Sequence, residues 1–327
     1  MELAEPLGIF VLTAVVIVVA AVALAISSDV IADQSGWGRL WVGSLLMAGA
    51  TSLPELVTNI AAVRIGAPAL AAGDILGANM LNMSNLALLA SGLGGGEVFR
   101  RLMPQQALVA LLAMALTGIA TLSAALHLEV LWLFLSPPSL AILVGYVVGS
   151  RILYRMTVEV ADVETPAEGR SLRWGWTVFM ISAAAISGSA PFLATSAQSI
   201  AAITGLGESF VGVVAVAFVT TLPELVATGT AIRQGADDLA VAGMFGTNAF
   251  NVGALAVADM FSPGESLFGS LDGSHVAAGL FAIVLMGIAA LQVRRQRRLP
   301  WFSVTEFSTA LMVGVYALGL AVVYRLG

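Results

Sequence analysis

The chain has 327 residues, 59% of them hydrophobic and only 10% charged, with a mean hydropathy of +0.96. Soluble domains carry about 25% charged residues, so this composition excludes an ordinary soluble fold and points to helices immersed in lipid. The absence of cysteine excludes disulfides and thiolate metal sites, and the formal charge of −6 says less than the side of a membrane on which each charge lies.

A spanning helix needs roughly 20 largely apolar residues. In chain order, ten segments are predicted to span: 7–28, 39–64, 69–93, 102–125, 128–150, 174–203, 208–233, 237–261, 273–293 and 302–325. The opening Met1-Glu-Leu-Ala-Glu lacks the basic region of a signal peptide, so the first apolar run is expected to be retained. His127 and His275 fall near segment ends without a partner at metal-ligand spacing, and are expected to be structural or solvent-facing. The longest polar stretch, 151–173, reads as a linker between a first five-helix unit, 1–150, and a second, 174–327.

The two units repeat. Shifted by 169 residues, 41–82 falls on 210–251 without a gap, and eighteen of the 42 positions are identical. They include Thr51/Thr220, Leu53-Pro-Glu-Leu-Val57 over Leu222-Pro-Glu-Leu-Val226, Gly77/Gly246, Asn79/Asn248 and Asn82/Asn251. Apolar composition alone does not reproduce two Pro-Glu pairs and four Asn positions. Five spans separate equivalent points, and an odd number sends the second copy into the membrane from the opposite side. The predicted fold is therefore an all-α integral membrane protein of ten transmembrane helices, built as two inverted five-helix repeats.

Arginine sets the expected orientation. With the N-terminus outside, Arg39, Arg100, Arg101, Arg151, Arg155, Arg170, Arg173, Arg233, Arg294, Arg295, Arg297 and Arg298 lie on the cytoplasmic side, and only Arg64 and Arg325 lie outside. This positive-inside bias predicts a multi-pass protein of a prokaryotic plasma (inner) membrane with both termini extracellular or periplasmic. The lipid bilayer is the expected partner, and the Arg294–Arg298 cluster is a topology anchor.

Glu55 and Glu224 lie inside apolar spans, where a charge costs about 3 kcal/mol on insertion scales. No arginine within a span can pair with either, so a bound or transported cation is the simplest counter-charge; a protonated, hydrogen-bonded pair is the structural alternative. Thr51 and Ser52, and likewise Thr220 and Thr221, stand three and four residues before each acid, on the same helical face. Pro54 and Pro223 disrupt an upstream carbonyl's hydrogen bond. Carboxylate, hydroxyl and carbonyl oxygens thus gather in one volume, the ligand type of hard cations such as Ca2+ and Na+. Asn82 and Asn251 can line this site or bond between helices; for Asn79 and Asn248 the interhelical role is favoured. Gly73 and Gly77 resemble a packing face of small residues. Asp74 has Gly243 as its symmetry mate, so it is no duplicated ligand, and reads as a helix-start cap or as a residue at the cavity mouth.

The paired Gly-Ala-Thr-Ser-Leu-Pro-Glu55 and Val-Thr-Thr-Leu-Pro-Glu224 patterns, with Gly77-Ala-Asn-Met-Leu-Asn82 and Gly246-Thr-Asn-Ala-Phe-Asn251, resemble the alpha repeats of the calcium/cation antiporter superfamily. The resemblance implies alternating access, with the first and sixth helices sliding against the other eight. It also implies cation ligation by Glu55 and Glu224, with Thr51, Ser52, Thr220 and Thr221 contributing oxygens. Relatives commonly have Ser after the motif Gly, where this chain has Ala78 and Thr247, so only Thr247 offers a hydroxyl there. Asn251 replaces an Asp frequent in sodium/calcium members, which looks more like the proton/calcium branch. The expected function is Ca2+ export in exchange for Na+, with H+ as the alternative counter-ion. A cation channel suits midplane carboxylates on broken helices less well. No nucleophile with a paired base and no metal triad is present, so an enzyme is not expected, and no organic cofactor is implied. Two central carboxylates would be matched by one Ca2+ or two monovalent ions, predicting near-electroneutral exchange.

Overall fold

A computed structural model describes residues 3–34, 51–94, 98, 106–132, 134–157, 170–295 and 304–327. Its helices are α1 (Ala4–Gln34), α2 (Leu53–Arg64), α3 (Pro68–Gly94), α4 (Gln106–Ala125), α5 (Pro137–Thr157), α6 (Leu172–Thr204), α7 (Glu208–Thr220), α8 (Leu222–Arg233), α9 (Asp237–Asp259), α10 (Gly273–Arg295) and α11 (Val304–Leu326). Among the described residues six helices are long and apolar enough to cross a membrane, and a seventh span arises if the bent pair α7–α8 counts as one. Of the predicted spans, 39–50, 102–105 and 302–303 lie outside the described residues, as does 158–169 of the predicted linker.

Two predicted boundaries move. The fifth span does not begin at 128: residues 128–132 and 134–136 are non-helical, with an isolated bridge between Trp132 and Leu135, and α5 starts at Pro137. Proline's fixed φ and missing N–H suit a helix's first turn and disfavour its interior. The predicted linker is also shorter than 151–173, because α5 continues to Thr157 and α6 opens at Leu172, capped by the Ser171 hydroxyl accepting from Trp174 N.

The bundle is organised around α3, which is buried along most of its length and packs against α2, α7, α8, α9, α10 and α11. The long helices α1 and α6 lie along each other at the side, and expose Leu12, Val19, Met180 and Ile181, an apolar surface suited to lipid. Glycine lets α3 meet α7 backbone to backbone. A Cβ at Gly73 would stand 2.5 Å from Ser209 O, one at Gly77 2.5 Å from Val213 Cα, and one at Gly212 2.5 Å from Leu70 O. The close fit coincides with a π-helical turn, Gly212–Val216, within α7.

Gly327 marks one face of the bundle, where it packs against Gly207, Ser209 and Ser274. Two acids stitch the loops there. Asp259, buried at the end of α9, accepts hydrogen bonds from Ser136 Oγ (2.5 Å), Ser139 Oγ (2.7 Å), Ser266 Oγ (3.0 Å) and Leu267 N (2.7 Å). Asp272 contacts the buried His275 ring at Nδ1 (2.9 Å) and the Ser274 hydroxyl, while His275 Nε2 lies 3.0 Å from Ala69 O at the start of α3. The His275 hydrogen bond and the Ser274 donors hold the Asp272 carboxyl well below the ordinary carboxylate range. A depressed folded-state value contributes stability above the unfolded value of about 4, and that stability is lost as pH falls below it. Asp272→Asn is therefore expected to lower Tm at pH 7, with the gap to wild type narrowing as pH drops below about 4. Thermal scans across pH check this; a gap that is constant with pH contradicts it.

Candidate functional site

Both Pro-Glu motifs open a helix. α2 and α8 have proline in their first turn, and each is preceded by a residue that leaves regular helix: Ser52 at φ −95°, ψ 7° and Thr221 at φ −84°, ψ −4°. The chain bends by 48° between α7 and α8. Proline stops the preceding helix because it lacks a donor and clashes with the turn before it. Glu55 and Glu224 thus sit in first turns, where the helix dipole favours negative charge.

The structure buries every one of the sequence-derived site residues. Glu55, Glu224, Thr51, Ser52, Thr220, Thr221, Asn82, Asn251 and Thr247 are all buried. Contacts cross between the halves. The Thr51 and Ser52 hydroxyls face the Glu224 carboxylate, with Ser52 Oγ 3.4 Å from Oε1. Asn79 Nδ2 donates to Asn248 O (3.1 Å), and Asn248 Nδ2 donates to Asn79 O (3.3 Å). Asn82 Nδ2 donates to Asn248 Oδ1 (3.0 Å), and Asn251 Nδ2 donates to Asn79 Oδ1 (3.1 Å). Under the offset of 169 residues these four bonds map onto one another.

The amide lattice has a chemical consequence. Asn79 and Asn248 use both ends of their amides to tie α3 to α9. Asn82 and Asn251 use only nitrogen, and their Oδ1 atoms are buried without a hydrogen-bond partner among the described residues. The same holds for Glu55 Oε1, Glu55 Oε2 and Glu224 Oε2. Buried polar atoms are normally paired, so these acceptors stand out as available to a cation or a proton. Thr221 turns away, its hydroxyl donating to Ala217 O (2.7 Å), and leaves only oxygen lone pairs for other use.

Of the two readings open for Asp74, the helix-start cap fails, because α3 begins at Pro68 and Asp74 lies in its second turn, 1% exposed. Asn59 Nδ2 donates to Asp74 Oδ2 (2.7 Å) and Thr220 Oγ1 donates to Asp74 Oδ1 (2.9 Å). Asn59 Nδ2 also lies 2.6 Å from Glu55 O. Asp74 thus places a third buried acid beside the α2 helix that carries Glu55 and beside Thr220 of the second motif. Helical spacing carried a signal: Asn59 is four residues beyond Glu55, and Asp74 shares a stripe with Asn82. Among the described residues no three acidic or histidine side chains converge as a resident metal centre would require.

An all-helical membrane protein with a broken helix beside a buried acidic site defines an ion-transporter class. The chain belongs to the sodium/calcium exchanger protein family, which matches residues 5–154 and 174–325. A relative from Alkalimonas amylolytica named "Putative antiporter CaxA" is 32% identical over 129 residues, a match spanning 38% of this chain and only 40% of that protein. Three solved structures share the fold. The H+/Ca2+ exchanger CAX has a TM-score of 0.69 at 14% identity, covering 98% of this chain and 88% of that one. YfkE has 0.66 at 17%, covering 97% and 92%. The sodium-calcium exchanger NCX_Mj has 0.61 at 19%, covering 98% and 99%.

Proposed function

We propose that the protein exports Ca2+ in exchange for Na+ by alternating access, with the ion held between Glu55 and Glu224. The observation that carries this reading is the set of donor-less buried oxygens: both of Glu55, Oε2 of Glu224, and Oδ1 of Asn82 and Asn251. Hard divalent cations take oxygen ligands from carboxylates, amides and hydroxyls. The two motifs contribute equivalent groups from α2 and α8 and from α3 and α9, as an inverted ten-helix repeat requires. In this reading the arginine bias orients the Gly327 face outward, and the first and sixth helices slide against the other eight.

The ion position is tested by Sr2+ in crystals of the protein. Anomalous density between Glu55 and Glu224, within coordination distance of the Asn82 and Asn251 oxygens, is expected. Density elsewhere in the bundle and none here contradicts the assignment.

The counter-ion is tested at the one motif position lacking its hydroxyl. Ala78 is fully buried on α3, opposite Thr247 in the repeat. Ala78→Ser adds one oxygen, and Na+ is expected to inhibit Ca2+ binding at several-fold lower concentration in the variant. Titrating Na+ against a fixed Ca2+ concentration reads this. An unchanged Na+ response with intact Ca2+ binding means that the position does not touch the ion. Protons are the second reading, favoured by the absence of an acid at Asn251; in that case lowered pH, not Na+, displaces Ca2+.

A further inference from the structure

The 169-residue offset provides an internal control for each site interaction, and one interaction breaks the symmetry. On one side the Thr51 hydroxyl faces the Glu224 carboxylate. Its mate, Thr220, does not turn to Glu55. Thr220 Oγ1 donates instead to Asp74 Oδ1 at 2.9 Å, closer than its own-helix acceptors Val216 O (3.2 Å) and Ala217 O (3.4 Å), and among the described residues neither Glu55 oxygen has a donor. The difference traces to two residues that the second half lacks: Asp74 has Gly243 as its mate, and Asn59, which donates to Asp74 Oδ2, has Thr228.

Building on the cation site proposed above, we propose that Asp74 is a positioning residue that captures the Thr220 hydroxyl proton and thereby makes the two symmetric glutamates inequivalent, leaving Glu55 as the unencumbered cation ligand. A hydroxyl has one proton. With that proton fixed on Asp74, Thr220 presents lone pairs to the cavity and makes no claim on Glu55. Glu224, engaged by Thr51 and Ser52, must give up hydrogen bonds before both of its oxygens can serve a cation. Asn59 completes the device: its Nδ2 bridges Asp74 Oδ2 and the Glu55 carbonyl, so Asp74 is held in register with the helix that carries Glu55.

The test compares Asp74→Ala, Asp74→Asn, Thr220→Val and the Asp74→Ala/Thr220→Val double variant. Readouts are apparent KM and Vmax for Ca2+ in proteoliposomes, with Tm as a folding control. Asp74→Ala frees Thr220 to occupy Glu55, and KM should rise about tenfold, the equivalent of one hydrogen bond. Asn keeps an acceptor oxygen for Thr220 while setting its NH2 against Asn59 Nδ2, so its KM should rise, but less than that of Ala. In the Thr220→Val background, Asp74→Ala should have no further effect, because the two residues act as one unit. Asn as damaging as Ala, or additive effects in the double variant, would overturn the proposal in favour of a direct role for the Asp74 charge. Loss of Ca2+ transport in the wild type itself would count against the proposed function instead. A structure of the Asp74→Ala variant still reads the device in that event: Thr220 Oγ1 is expected to swing to Glu55, and a Thr220 rotamer that stays in place overturns the inference.

Discussion

Glu55→Gln and Glu224→Gln are each expected to reduce Ca2+ transport in proteoliposomes to below about one hundredth of wild type, while Tm holds steady or rises. Both side chains are buried, at 0% and 3% exposure, and among the described residues both Glu55 oxygens and Oε2 of Glu224 have no donor. Glutamine keeps the shape and removes the charge. Losing a charged ligand in a buried site costs several kcal/mol of ion binding, and each 1.4 kcal/mol is a factor of ten. Stability should move the other way, because an uncompensated buried charge is removed. That combination separates a ligand from a structural acid, whose loss would lower Tm along with flux. Transport near wild type in either purified variant rules out that residue as an essential ligand.

Gly77→Val is expected to produce the second largest effect, through packing instead of charge. A Cβ at Gly77 would lie 2.5 Å from Val213 Cα and 2.7 Å from Val213 O, both backbone atoms that cannot rotate aside. Overpacking of this kind typically costs about 1–3 kcal/mol. The strain falls on the seam that sets Asp74 of α3 against Thr220 of α7. Both Tm in detergent and Ca2+ flux should fall. Gly243, exposed and with nothing within 4 Å of a built Cβ among the described residues, serves as the control: Gly243→Ala should leave Tm close to wild type. Equal effects at the two glycines contradict the packing argument.

The main features of the site were legible in the sequence because the chain carries its own comparison. Two copies of Leu-Pro-Glu in apolar surroundings marked the acids, the break and the neighbouring hydroxyls. Repeated Asn at matching offsets marked the following helices. The partition of the amides, with Asn79 and Asn248 bonded at both ends and Asn82 and Asn251 at one, depends on rotamers across a helix interface that no spacing rule specifies. The cap reading of Asp74 failed for a related reason. The residue's importance comes from tertiary partners, Asn59 and Thr220, and the repeat pattern hides a residue whose mate is glycine. The start of α5 was misread because the apolar run 128–136 resembles a span by composition, whereas the Pro137-Pro138 pair fixes where the helix begins.

Ca2+ flux in sealed proteoliposomes, under Na+ and pH gradients imposed separately, tests the central claim most directly. The account predicts Ca2+ uptake driven by an outward Na+ gradient, saturable in Ca2+, absent when both gradients are absent, and lost in Glu55→Gln and Glu224→Gln. Uptake driven by the pH gradient alone would transfer the counter-ion role to H+ and leave the site intact. Ca2+ entry that proceeds without either gradient, or that survives both substitutions, would contradict exchange through this site.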